Sequence, residues 1–315
     1  MRPVQLDPSK VVMRVAATAS AFGGAKCVVV TNTYYTRAPD DQFRALLMAK
    51  TLERYAELNA DVPGAFPVAA LNAAFPSAFP VVVVDTSPDP SFVRDMCRQY
   101  GATYLDGREA PGIGPQTLMG VRYAYCHGAE HVLRIDPEKY GLAARNVMYP
   151  LVEELVTGGA DILSIGRLRD TAFASLPPYQ QITERNISRA LATLGLPEDT
   201  ASGIRAMNRR GMSILMQFDP EQHGKQWEFM WYFLIDAMKA GLNVKGLFLP
   251  FIHPVEMLLK ETGQLEDTPE AGGETAYFYD NKRDMQLALI VPKVVAYAAS
   301  CGIYPVWDPK REWII

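Results

Sequence analysis

Four short apolar runs constrain this chain most: "CVVVT" (27–31), "VVVV" ending in Asp85, "VLRI" ending in Asp136, and "DILSIG" (161–166). Runs of this length, bounded by turn residues, are the pattern of strands buried on both faces. Helical stretches separate them. Residues 40–58 place Phe43, Leu46, Leu47 and Leu52 at helical spacing, Pro90 and Ser91 open a helix that Gly101 closes, and 114–127 and 142–157 supply two more. Strand and helix in alternation predict an α/β protein with a mainly parallel central sheet and helices on both faces. Residues 59–79, rich in Ala and Pro, are expected to make a surface excursion.

The second half changes character. Tyr179, Ile182, Ile187, Leu191 and Leu194 lie along one helical face that stops at Gly195; Trp227, Met230, Trp231, Leu234 and Met238 form a second, stopped by Gly241. A strand, "NVKGLFLPFI", and a helix around 284–300 follow. These patterns divide the chain into an N-terminal extension (1–25), a nucleotide-binding α/β half (26–166) and an acceptor half (167–315) packed on the same sheet.

Bulk properties remove several function classes. The net charge of −4 over 315 residues provides no basic field for nucleic acid. Cys27, Cys97, Cys126 and Cys301 are scattered without CxxC pairs, as in the reduced core of an intracellular protein, and indicate neither a disulfide frame nor a zinc site. Arg14, Gly23, Gly24 and Lys26 interrupt the apolar N-terminal window, so no transmembrane segment or signal peptide is expected and the protein reads as cytoplasmic. Oligomeric state stays open, a homo-oligomer included.

Two buried runs end in acids, Asp85 and Asp136, and Glu138 follows the latter after a proline. Oxygen ligands one residue apart at a strand tip suit Mg2+ or Mn2+ with positions left for substrate phosphates. Asp136 also suits capping of a helix that begins near Pro137. Gly112-x-Gly114 lacks the third glycine and the preceding strand of a dinucleotide fingerprint, so it reads as a turn into the next helix.

In order along residues 26–256, "VVVTNTYYTR", "VVVVDTSPDPS", "GIGPQTLMGVRYAYCHGAEHVLRIDPE", "DTASGIRAMNRRGM" and "QWEFMWYFLIDAMKAGLNVKGLFLPFIHP" resemble nucleotide-sugar-dependent glycosyltransferases of the GT-A fold. The fourth resembles the acceptor segment of family 2 enzymes, and the last the helix–strand–His ending of mannosylglycerate and glucosyl-phosphoglycerate synthases. The resemblance implies a GT-A-type, Rossmann-like fold and a sugar transferred from a UDP- or GDP-linked donor to a hydroxyl acceptor. It implies that Thr31 and Asn32, in the loop of the first strand, and Asp85 touch the nucleoside; for all three, plain turn chemistry is the alternative. Asp136, Glu138 and His253 become metal ligands, with Mn2+ or Mg2+ as cofactor. The motif here reads Asp-Pro-Glu, where the family has Asp-x-Asp.

Transfer requires the departing diphosphate to be neutralised and the acceptor hydroxyl to be aimed, usually with a base in reach. Arg134 and Lys139 are additional cations near the diphosphate. Asp199 is the candidate base of an inverting reaction, Glu228 the acceptor or sugar contact of a retaining one. Trp227, Trp231 and Tyr232 read as core. Two other functions compete. A sugar-phosphate nucleotidyltransferase needs a Gly-rich loop after the first strand, and "TNTYYTRAPDD" has no glycine. A non-catalytic nucleotide-sugar binder would bind nucleotide diphosphate without transfer.

Overall fold

The computed structural model describes residues 27–61, 79–262, 264 and 288–306. The extension 1–25 and most of the 59–79 excursion lie outside the described residues, as do 284–287 of the last helix. Among the described residues one seven-stranded sheet runs in the order β3-β2-β1-β4-β6-β5-β7. Its strands are β1 (Cys27–Thr33), β2 (Val81–Asp85), β3 (Thr103–Asp106), β4 (His131–Ile135), β5 (Ile162–Arg167), β6 (Ile204–Asn208) and β7 (Val244–Leu249). Strand β6 alone runs antiparallel, wedged between β4 and β5.

The helices cover both faces: α1 (Pro39–Asp61), α2 (Ser91–Tyr100), α3 (Ile113–Cys126), α4 (Arg145–Thr157), α5 (Pro178–Ala192), α6 (Arg209–Leu215), a single turn α7 (Pro220–His223), α8 (Phe229–Lys239), α9 (Val255–Glu261) and α10 (288–300). The period-two alternation of strands sorts the core. Val29, Val83, Leu133 and Ile165 pack with α1 and α4, whereas Val28, Val30, Val82 and Val132 pack with α3 and α8. Gly101 closes α2 at φ +69°, the left-handed conformation that glycine adopts at no steric cost.

The structure departs from the sequence reading at several elements. Strands β3 and β6 were not anticipated. The first is a four-residue edge, and the second hides its apolar character behind Arg205, a charged residue only 1% exposed. The 142–157 helix is a 3-10 turn, Tyr140–Ala143, followed by α4. On α5, Ile182 is 62% exposed, and the buried stripe is Gln180, Thr183, Glu184, Ile187 and Leu191. The helix is rotated from the apolar expectation because Glu184 must reach the buried guanidinium of Arg167. A charge taken out of water requires such a partner. Cys126 is exposed, so it is no core residue; all four cysteines are free thiols.

Helix α3 approaches the sheet through Gly120. A Cβ there would lie 2.4 Å from Val30 Cγ1 and 3.1 Å from Val84 Cγ2. Gly120→Ala gains about 0.5–1 kcal/mol of helix propensity against about 1–3 kcal/mol of overpacking. The expected result is net destabilisation in urea unfolding. Equal or greater stability would show that α3 is not seated by this contact.

Candidate active site

Strands β1, β2 and β4 are mutually parallel, so their carboxyl ends share one edge of the sheet. The chain leaves β1 towards β2 on one side, and β4 lies on the other. That reversal opens a crevice between β1 and β4, where open α/β sheets bind ligands. Antiparallel β6 brings its N-terminal turn to the same edge, and parallel β7 brings the segment leading to His253.

On the β1–β2 side, the nucleoside candidates are pinned by internal bonds. β1 continues to Thr33, so Thr31 and Asn32 are strand residues, a correction to their placement in a loop. Asn32 donates to the Ile113 carbonyl (3.0 Å) and to Thr117 Oγ1 (2.8 Å), while its Oδ1 and Thr31 Oγ1 are buried without a hydrogen-bond partner. Asp85 Oδ1 accepts from Thr33 Oγ1 (2.9 Å), Ser87 Oγ (2.5 Å) and the Ser87 amide (3.1 Å). This is the Asx-type turn. Among the described residues, Oδ2 accepts only from Tyr104 Oη, at 3.5 Å. Burial raises the Asp85 pKa, against the hydrogen bonds of Ser87 and Thr33.

At the tip of β4, Asp136 Oδ1 accepts from Arg134 Nη1 at 2.6 Å. The Lys139 amide donates to the Asp136 carbonyl, closing the turn that carries Glu138. Glu138 faces Arg44 of α1, whose Nε and Nη2 both reach Oε1, at 2.6 and 2.5 Å. His253 lies beyond the end of β7, four residues past Leu249 and not at the strand end. It is 5% exposed, its Nε2 is 3.6 Å from Glu261 Oε2, and among the described residues neither ring nitrogen has a hydrogen-bond partner. Burial, with Lys139 adding to it, lowers its pKa against the opposing pull of Glu261.

Behind Asp136 stand two arginines, Arg134, already singled out in the sequence, and Arg205, which carries no sequence signal. Arg134 and Arg205 are register partners on β4 and β6, both buried. Arg134 Nη1 also donates to the Gly203 carbonyl (2.9 Å), and its guanidinium lies 5.9 Å from the Trp227 ring centroid. Arg205 donates to the carbonyls of Ile204 (2.8 Å) and Thr200 (2.7 Å). Burial, and then Arg134, push its pKa down to about 9. Gly203, at φ +74°, fits between these groups because it has no Cβ. One there would lie 3.3 Å from Arg134 Nη1, 3.4 Å from Trp227 and 3.6 Å from Asp136 Oδ2.

Asp199 opens this 199–203 turn in a left-handed conformation, φ +50°. Arg167 holds it three times: backbone N to Oδ2 (2.6 Å), Nε to Oδ2 (2.9 Å) and Nη2 to Oδ1 (2.5 Å). Glu184 pairs with the same guanidinium and takes Gln180 Nε2 at 2.5 Å. Burial alone would lower the Arg167 pKa, but Asp199 and Glu184 outweigh it and hold the group charged. Both Asp199 oxygens are therefore engaged, which suits a residue that sets the turn. Trp231 Nε1 fixes the same turn by donating to Thr200 Oγ1 at 3.0 Å.

Glu228 sits at the N-cap of α8, not within it, with Lys293 of α10 at 3.8 Å. Trp231 and Tyr232 are core, as expected; Trp227 precedes the helix and is half-buried over Arg134. The loop carrying Trp227 and Glu228 is tied to α3 by the Lys225 carbonyl, which accepts from the Gly114 amide at 3.2 Å. His223 ties it to α8: Nε2 is 3.3 Å from Asp236 Oδ2, and Tyr297 of α10 donates to Asp236 Oδ1 at 2.7 Å.

A hard divalent cation fits the chemistry of Asp136, Glu138 and His253. Each carboxylate has one oxygen that Arg134 or Arg44 leaves free, and among the described residues the imidazole nitrogens make no hydrogen bond. These side chains are not gathered into a preformed cluster: among the described residues, no three His, Cys, Asp or Glu side chains converge on a metal position. Nor is any described helix long and apolar enough to cross a membrane.

This mixed sheet, with helices on both faces, is a GT-A-type fold. Among solved structures it is similar to glucosyl-3-phosphoglycerate synthase from Mycobacterium tuberculosis in complex with phosphoglyceric acid. That match has 14% identity over 91% of this chain and 83% of that one, with a TM-score of 0.51. The same enzyme with Mn2+, UDP and glucosyl-3-phosphoglycerate matches at 14% identity, 91% and 83% coverage and a TM-score of 0.48. Mannosyl-3-phosphoglycerate synthase from Rubrobacter xylanophilus matches at 14% identity, 78% and 77% coverage and a TM-score of 0.43. At this identity the likeness is one of fold. No family model matches the chain, and no curated protein does.

The bond to Asp236 raises the His223 pKa, with burial opposing it. A raised folded-state pKa gives stability that is fully present below the unfolded value and lost as pH rises through the folded one. His223→Gln should therefore cost more stability near about pH 5.5 than near about pH 8.5. Urea unfolding of both proteins at the two pH values checks this, and an equal cost at both would remove the ion pair from the account.

Proposed function

We propose that the protein is a glycosyltransferase that moves a sugar from a nucleotide-diphosphate donor to a hydroxyl acceptor, assisted by a divalent metal. One observation carries the reading: Asp136, Glu138 and the buried His253 stand beyond the strand ends at the edge where the GT-A-type sheet has its switch point. The sequence resemblance supports it independently.

In this reading Asp136 and His253 hold Mn2+ or Mg2+, with Glu138 contributing directly or through water. The bound ion would neutralise charge developing on the departing diphosphate. Asp85, Asn32 and Thr31 define the nucleoside end. The 199–203 turn and Trp227 border the acceptor side. Asp199, held by Arg167, positions that turn, which leaves Glu228 as the carboxylate available to touch the acceptor or sugar. The alternative of a non-catalytic nucleotide-sugar binder draws support from the arginines already paired with Asp136 and Glu138. Donor turnover separates the two readings.

A thermal-shift panel of UDP- and GDP-sugars, with and without Mn2+, should reveal the donor through a raised melting temperature. Asp136→Asn should then weaken Mn2+-dependent binding of the matching nucleoside diphosphate, measured by calorimetry, while the fold stays intact. Because even outer-shell changes cost about 10–100-fold in metal affinity, a direct ligand should cost at least about tenfold. Unchanged affinity in that variant would sink the assignment. Glu138→Gln should lower kcat far more than it raises the donor KM, since a charge acting on the leaving group matters most in the transition state. A raised KM with kcat unchanged would make Glu138 a uniform binding residue.

A further inference from the structure

Each carboxylate of the Asp-Pro-Glu motif is already paired with an arginine of its own. Arg134 comes from β4 itself and holds Asp136 Oδ1; Arg44 comes from α1 and holds Glu138 Oε1 through two nitrogens. Arg205 stands behind Arg134, and Lys139 follows the motif. The other candidate ligand, His253, is an imidazole and adds no negative charge. Among the described residues its ring nitrogens make no hydrogen bond, in a side chain only 3% exposed, with Glu261 Oε2 3.6 Å from Nε2.

We infer that Arg44 and Arg134 make divalent-cation binding conditional on an anionic diphosphate, so that metal and nucleotide are taken up together. The inference rests on the metal-dependent reading above and adds an order of binding to it. A bare divalent cation approaching Asp136 meets carboxylates that are already neutralised, with further cations close by. Arg134 is 3% exposed, so water screens its charge poorly. A metal–diphosphate complex carries net negative charge, and the same arginines attract it. The arginines thus oppose the metal alone and favour the pair, which is a positive coupling between the two ligands. By linkage, metal must tighten the diphosphate by the same factor that diphosphate tightens metal. The two arginines differ in exposure. Arg134 is fixed by Gly203 and Trp227, whereas the Arg44 side chain is 44% exposed.

The test is titration of the full-length protein with Mn2+, alone and with saturating UDP or GDP, read from the spin-resonance signal of free Mn2+. Wild-type protein should bind Mn2+ at least about tenfold more tightly with the diphosphate, within the usual range of such couplings. Arg44→Met should narrow that gap by tightening Mn2+ binding in the absence of nucleotide, and Arg44→Lys should largely restore it. A merely structural role for Arg44 would weaken binding, not strengthen it. Arg134→Gln should act in the same direction, with thermal unfolding as the check on its fold; the exposed Arg44 variants keep the test decisive if Arg134→Gln fails to fold. Equal Mn2+ affinity with and without diphosphate in the wild type, or an unchanged gap in Arg44→Met, overturns this inference and leaves glycosyl transfer standing. Absence of Mn2+ binding under every condition overturns both this inference and the metal assignment.

Discussion

Parallel pairing of β1 with β2 and β4 sets where chemistry can occur in this molecule. Val29 lies opposite Val81 and Leu133, and Thr31 opposite Val83 and Ile135, so the three strands run in step to a common edge. Their interiors are covered on both faces, and an unpaired charge placed there would carry a large desolvation cost. Charged groups are therefore displaced to the strand tips, and parallel direction delivers those tips together. Asp85, Asp136 and Glu138 come to one end of the sheet because the strands before them are too apolar to hold them.

Antiparallel β6 adds what a wholly parallel sheet could not. Running the other way, it presents its leading turn, 199–203, to the edge where its neighbours end. That turn is over-determined. Arg167 holds Asp199, Trp231 and Arg205 hold Thr200, Ser202 Oγ donates to the Ile165 carbonyl, and the Gly203 carbonyl receives Arg134. Buried ion pairs contribute little net stability, since desolvation offsets much of their attraction. Their effect here is geometric. The pairs Glu184–Arg167–Asp199 at one end of the 199–203 turn and Gly203–Arg134–Asp136 at the other link helix α5 through that turn to the carboxylate at the tip of β4.

The same network explains why the charges of the site are balanced before any ligand arrives. Acids at the strand tips face arginines from α1 and β4, and burial beside Lys139 lowers the pKa of His253 against the pull of Glu261. In the proposed reading, such a site favours a ligand that brings cation and anion together. A metal–diphosphate complex has that character.

Much of this was legible in the sequence, for identifiable reasons. Continuous apolar runs such as "VVVVD" mark strands buried on both faces, and Asp85 and Asp136 stand out because they end such runs. Gly101 and Gly241 mark helix ends because only glycine turns left-handed there without strain. Periodicity failed where burial was polar. Arg205 masked β6, Glu184 turned α5 so that Ile182 faces solvent, and Trp227 looked like helix core but covers Arg134. Which acid pairs with which base was beyond the sequence altogether. Arg44 and Glu138 are 94 residues apart, as Arg134 and Gly203 are 69 apart. Local chemistry along the chain determined the strands, their acidic tips and the class of fold. Only tertiary packing decided the partners of those acids, because buried charges find one another across the sheet and leave no periodic trace in the sequence.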